Sequence, residues 1–212
     1  MSFEKFEIMG CPCEALSERK AISRILSVIT KKECGYSVAI NAEKIQRFQN
    51  DEELRAIINN SILPYPDGAG AVLGLKWLHG VSSEKVNMPV KVLEAANQYR
   101  FKTFIVGADE KNHDLAIGAI VKKYPNLDLV GNLHGFNSKD RIFEHVLLKR
   151  PQLIMIAMGS PRQEKLAAEL IAICKFGFVV GCGGALDILS GEVRRAPSFM
   201  ITYHLEWLFR LV

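Results

Sequence analysis

The 212 residues carry 27 Lys and Arg against 23 Asp and Glu, a formal charge of +4, with 49% hydrophobic and 24% charged residues. That balance fits a soluble globular chain and excludes a disordered one; with no basic cluster interleaved with aromatics it gives no support to nucleic-acid binding, and the mild positive charge suits at most anionic ligands or a membrane surface. No apolar run reaches membrane-spanning length, the N-terminus has no signal-peptide core, and Cys11, Cys13, Cys34, Cys174 and Cys182 read as reduced thiols rather than a disulfide or zinc framework.

Phe6 to Cys13 reads as a short strand, and Ser17 caps a helix that carries Ile22, Ile25, Leu26 and Ile29 at i, i+3, i+4 and i+7. A turn at residues 31–35 leads to a strand from Tyr36 to Ile40 that ends at Asn41-Ala42. Asp51 caps a helix to about Asn59, and Pro64-Tyr-Pro-Asp-Gly68 predicts a proline-fixed turn with Asp67 at a rigid loop position. Gly70 to His79 is helical, residues 81–88 form an irregular polar connection, and Pro89 opens a helix to Tyr99. Regular alternation follows: strand Thr103–Val106 ending in Gly107, helix His113–Lys123, strand Leu127–Val130 ending in Gly131, and a helix capped by Ser138.

Leu153 to Met158 is a continuous apolar run, which suits a strand buried on both faces. Gly159 breaks it, Ser160 fits a helix N-cap, Pro161 fits the first helical position, and Gln163 fits the third position of a capping box reaching back to Ser160. Phe178 to Val180 is a strand ending in Gly181-Cys-Gly-Gly184, a short segment follows from Ala185 to Ser190, and a last helix runs from about Phe199 to Val212 with Ile201, Leu205, Leu208 and Leu211 in one stripe. The pattern predicts an α/β fold: a doubly wound, mainly parallel, Rossmann-like sheet with helices on both faces, in one domain.

Gly107, Gly159 and Gly183-Gly184 stand at strand ends, where backbone can approach a ligand and helix N-termini attract phosphate. The glycines after Val180 lack the full GxGxxG run, so a dinucleotide reading is weak; GxxxxGK[ST], HExxH, GxSxG and an Asp-x-Asp pair are absent.

Taken in order, Asn41-Ala-Glu-Lys-Ile45, Pro66-Asp-Gly68, Tyr124-Pro125, Gly135-Phe136, Gly159-Ser-Pro-Arg-Gln-Glu164, Gly183-Gly-Ala-Leu-Asp187, Arg195-Ala-Pro197 and Glu206-Trp-Leu-Phe-Arg210 resemble the WecG/TagA/CpsF glycosyltransferase family, from about Ile8 to the end. The resemblance implies a bacterial, inverting glycosyltransferase needing no metal and no cofactor. It would move an N-acetylmannosamine-type sugar from a UDP-sugar donor to a polyprenyl-diphosphate-linked acceptor in teichoic acid or other surface polysaccharide synthesis. By motif, Asp67 is the implied general base and Asn41 a contact near the reacting sugar. Gln163 and the Gly159-Ser160 turn would hold the donor, with Gly183, Gly184 and Asp187 near the nucleotide and Arg195 or Arg194 near the diphosphate; Gly107 is expected near UDP as the end of another glycine-terminated strand. Read without the resemblance, Asp67 is a turn former and Arg195 a surface residue.

Two departures stand out. Ala39 replaces a Thr that the family often has before Asn-Ala, and Lys85-Val-Asn-Met-Pro-Val90 replaces an Arg-x-x-Gly-x-Asp pattern. The family usually continues past the position of Val212 with a basic tail. The resemblance therefore implies a cytoplasmic protein, peripheral at the inner face of the plasma membrane through its C-terminal region; a homo-oligomer stays open. The alternative is a catalytically weakened nucleotide-sugar-binding partner or regulator.

Overall fold

The structure is a computed structural model and describes residues 5–191. Arg194, Arg195 and the helix expected from about Phe199 lie outside the described residues. In chain order the elements are a hairpin, β1 (Lys5–Ile8) and β2 (Cys11–Glu14), then α1 (Glu18–Thr30), β3 (Gly35–Ile40), α2 (Ala42–Phe48), α3 (Glu52–Asn59), β4 (Leu63–Pro66), α4 (Ala69–His79), α5 (Met88–Tyr99), β5 (Thr103–Gly107), α6 (Glu110–Lys123), β6 (Leu129–Leu133), α7 (Lys139–Lys149), β7 (Leu153–Ala157), α8 (Arg162–Cys174), β8 (Phe178–Gly181) and α9 (Ala185–Ser190).

Six strands form one sheet in the order β4-β3-β8-β7-β5-β6, and every neighbouring pair is parallel. Parallel strands need helical crossovers, and these cover both faces, so the interior strands are mostly apolar, with Ser37 of β3 and Thr103 of β5 as buried polar exceptions. β7 shows the consequence: Ile154 and Ile156 pack into the layer of α2, α3, α4, α7 and α8, while Leu153, Met155 and Ala157 pack into the layer of α1, α5, α6 and α9. Each fully buried Leu or Ile of this kind contributes about 1.5–3 kcal/mol. The expected doubly wound α/β architecture is what the chain adopts, with Thr103–Gly107, Leu153–Ala157 and Phe178–Gly181 as interior strands.

Several local expectations need correction. Phe6 to Cys13 is not one strand: Met9 and Gly10, at φ 52° and 76°, turn the chain so that β1 and β2 pair antiparallel. β3 does end before Asn41, as expected, but the sequence reading missed the helix that follows: the Asn41 side chain accepts from the Lys44 N–H at 2.9 Å and starts α2. The stretch Leu63–Pro66 is a buried strand rather than a turn. It tolerates two prolines because it is an edge strand and they occupy alternate positions, so both nitrogens face away from β3. α6 starts at Glu110, capped by Asp109, and β6 is shifted to Leu129–Leu133. Ser160 does not cap α8: the cap position is Pro161, and no side chain bonds there.

Candidate active site

In a parallel sheet all carboxyl ends share one edge, and ligands bind where successive connections depart in opposite directions. Here β5 leads outward through α6 to β6, whereas its neighbour β7 leads the other way through α8 to β8. α6 and α8 therefore lie on opposite faces, and a crevice opens between the ends of β5 and β7, at Gly107 and Gly159. Gly107, at φ 141°, cannot carry a side chain: a Cβ there would lie 2.1 Å from the Ala157 carbonyl oxygen. The Ala108 N–H donates to that oxygen at 2.9 Å, and buried His113 holds the Gly107 carbonyl at 2.9 Å through Nδ1, which must carry the proton because a carbonyl only accepts. Gly68, Gly159 and Gly183 also have positive φ, but a Cβ on any of them would meet nothing within 4 Å, so these three border open space.

A buried polar chain joins the far sides of this edge. The Lys44 ammonium lies 3.2 Å from Glu164 Oε1, both side chains being buried. The Gln163 side-chain NH2 donates to the same oxygen at 3.1 Å, and its carbonyl oxygen accepts from the Gly183 N–H at 3.0 Å. Gln163 lies so close over Gly181 that a Cβ there would approach its nitrogen to 2.8 Å. The start of α2, the start of α8 and the glycine turn after β8 are thus tied together. Asp67 joins from the other side, because its N–H donates to the Ile40 carbonyl at 2.7 Å and sets it beside Asn41. Its side chain is partly exposed. Buried Tyr65 lies behind it, its hydroxyl pKa raised well above 10, by burial above all and then by the charges of Asp67, Cys182 and Glu164.

Of the expected site residues, Asn41, Asp67, Gly107, Gly159, Ser160, Gln163, Gly183, Gly184 and Asp187 all fall on the carboxyl edge or in the turns just beyond it. They divide into two groups: Asn41, Asp67, Gln163 and Gly183 on the β4-β3-β8 side, and Gly107 and Asp187 with Asp109 near β5. The Asn41 carbonyl oxygen is already engaged as a helix cap. Gln163 is no capping-box residue, since its amide is spent on Gly183 and Glu164. Ser160 Oγ is buried without a partner. Asp187, in the first turn of α9, has its carboxyl pKa raised, by burial first and then by Asp109. Arg162, at the start of α8, is exposed.

The sequence reading missed Lys44, Glu164 and Tyr65 as participants. Glu164 stood in the quoted motif, but nothing local joins it to Lys44, which belongs to the distant helix α2. Burial pushes the Cys182 thiol up to about 12 and, with the Glu7 charge, Cys11 up to about 11, which disfavours either of these two as a nucleophile. Among the described residues no group of three His, Cys, Asp or Glu could hold a metal ion, and no helix is long and apolar enough to cross a membrane.

Glycine-ended parallel strands around a switch-point crevice define a doubly wound α/β protein with a ligand cleft at the carboxyl edge. The chain belongs to the glycosyl transferase WecG/TagA/CpsF family, which it matches over residues 6–212. It is 26% identical over 181 residues to the N-acetylglucosaminyldiphosphoundecaprenol N-acetyl-beta-D-mannosaminyltransferase of Bacillus spizizenii, covering 84% of this chain and 70% of that protein. It is also 26% identical over 166 residues to the protein of the same name in Bacillus subtilis, covering 76% of this chain and 65% of that protein.

Proposed function

We propose that the protein transfers an N-acetylmannosamine-type sugar, with inversion and without a metal ion, from a UDP donor to N-acetylglucosamine carried on a polyprenyl diphosphate. The observation that carries this reading is Asp67, a partly exposed carboxylate at the end of β4, beside Asn41 and on the same carboxyl edge as Gly159, which borders open space. In the reaction the acceptor hydroxyl oxygen attacks C1 of the donor sugar from the face opposite the diphosphate. The C1–O bond to the diphosphate breaks, UDP departs, and the hydroxyl proton passes to the Asp67 carboxylate. Charge builds on the departing diphosphate, and in this reading the first-turn amides of α8 and the exposed Arg162 receive it. Gln163 acts by holding the Gly181–Gly184 turn in place, and Arg195 is assigned to the diphosphate from its motif alone. The setting is cytoplasmic, at the inner membrane face, where a lipid-linked acceptor is reached.

The test is Asp67→Asn, which keeps the shape and removes the basicity. Transfer is expected to fall by roughly 10²–10⁴-fold while UDP affinity, read by titration, stays close to wild type. Near-normal transfer would remove Asp67 as the base. A second reading, a protein that binds the nucleotide sugar without transferring it, draws on Ala39 and on the Lys85–Val90 segment; it requires tight UDP-sugar binding with no turnover in wild type.

A further inference from the structure

The hairpin β1–β2, α2 and the first half of α4 enclose a groove of about 380 Å³ beside the cleft, lined by Ile8, Met9, Ala42, Ile45, Gln49 and Gly70, with Gln46 and Asn50 at its rim. Two glycines let α4 sit low along it. A Cβ on Gly70 would lie 3.2 Å from the Ala42 methyl, and one on Gly74 would lie 3.1 Å from Ile8. The inner end of the groove is continuous with the cleft: Ala42 follows Asn41, and Gly70 lies three residues beyond Asp67. The outer end is the hairpin tip, where Met9 is 68% exposed. Gln49 fastens that tip to α2 by donating to the Met9 carbonyl at 2.6 Å. Beyond the groove α4 continues with Trp77 and Leu78 exposed at 80% and 60%.

No lining residue carries a charge. The groove therefore offers a diphosphate no ion pair, and its apolar wall of Ile8, Met9, Ala42 and Ile45 favours an uncharged hydrocarbon ligand. Its volume lies within the range of about 300–1,000 Å³ usual for small-molecule sites. We propose that this groove binds the first isoprene units of the acceptor's polyprenyl chain, leading them from the diphosphate at the cleft toward the exposed end of α4. The assignment rests on the transfer reaction given above, since only a lipid-linked acceptor puts an apolar chain beside Asp67.

Chain-length dependence tests it. Binding of isopentenyl, geranyl and farnesyl diphosphate to the full chain is measured by calorimetric titration, with inorganic diphosphate as reference. Affinity is expected to rise from isopentenyl to farnesyl by tenfold or more, because about two buried methylenes suffice for that factor. Met9→Glu and Gln46→Glu, made singly on exposed positions, are expected to abolish most of the rise, with unfolding midpoints confirming that each variant folds. Equal affinity for the three tails in wild type overturns the proposal, as does a rise that both variants retain. Vesicle binding that falls in the variants while the tails bind alike overturns it too and assigns the surface to the bilayer; a change in oligomeric state with no tail dependence assigns it to a second copy. Tail dependence in a protein that transfers no sugar separates the two readings, because the groove then stands and the reaction does not.

Discussion

Lys44→Met is the most informative perturbation of the buried network. The ammonium lies 3.2 Å from Glu164 Oε1, and 4% and 3% of the two side chains are exposed. Removing it leaves a carboxylate in the interior with the Gln163 NH2 on one oxygen and no partner on the other. Stranding one member of a buried pair costs about 3–5 kcal/mol, which for a domain of this size corresponds to a fall in melting temperature of roughly 6–20 °C. Deleting both charges in Lys44→Met with Glu164→Gln removes the stranded carboxylate while keeping a side chain that Gln163 can bond. Stability should then return most of the way to wild type, since replacing a buried pair by neutral groups is often close to neutral. Urea unfolding followed by circular dichroism, on the two single variants and the double, gives the coupling. A cost below about 1 kcal/mol for Lys44→Met would show that the pair behaves like an exposed ion pair and refute the reasoning. A double variant no better than the single would show that volume, not charge, is what the site lacks.

Other outcomes follow from the same geometry. Gly107→Ala would force a Cβ to within 2.1 Å of the Ala157 oxygen at φ 141°, so it should destabilise by about 3 kcal/mol or more, and a thermal midpoint near wild type would contradict it. Glu14 is fully buried with neither carboxylate oxygen hydrogen-bonded, and burial raises its pKa above the usual 4.5 despite the opposing charges of Arg24 and Lys5. A carboxyl that holds its proton more tightly when folded contributes stability at low pH that is lost as pH rises from 4.5 through the raised value. Glu14→Gln should therefore raise stability at neutral pH and leave it nearly unchanged below about pH 4; a loss at neutral pH would show that the Arg24 contact outweighs the burial. Asp109→Asn should lower the Asp187 pKa, read by NMR titration, because it removes the second cause of that shift; an unmoved Asp187 would separate the two carboxylates.

What the sequence by itself determined was everything whose cause is local or periodic. β5, β7 and β8 could be read because strands covered on both faces are apolar runs, broken only by Thr103 at the start of β5, and each ends where glycine lets the chain turn. The helix starts at Ser17, Asp51 and Ser138 could be read because a cap is a bond between a side chain and an N–H three residues on. The motifs around Asp67 and Gln163 were legible as strings for the same reason. Their meaning was not. Pro64 and Pro66 read as a turn until an edge position relieved them of a missing donor, and Asn41 read as the end of a strand until its side chain capped α2. Ser160 and Gln163 read as a capping box because a local partner was the only one in view. In the folded chain Gln163 finds Gly183, twenty residues away, and Glu164 finds Lys44, on another helix of the same layer and far away in the chain. Only the tertiary structure decided those pairings: a buried polar group takes whichever partner packing brings within reach, and the sheet order that brings it is fixed by contacts far apart in the chain.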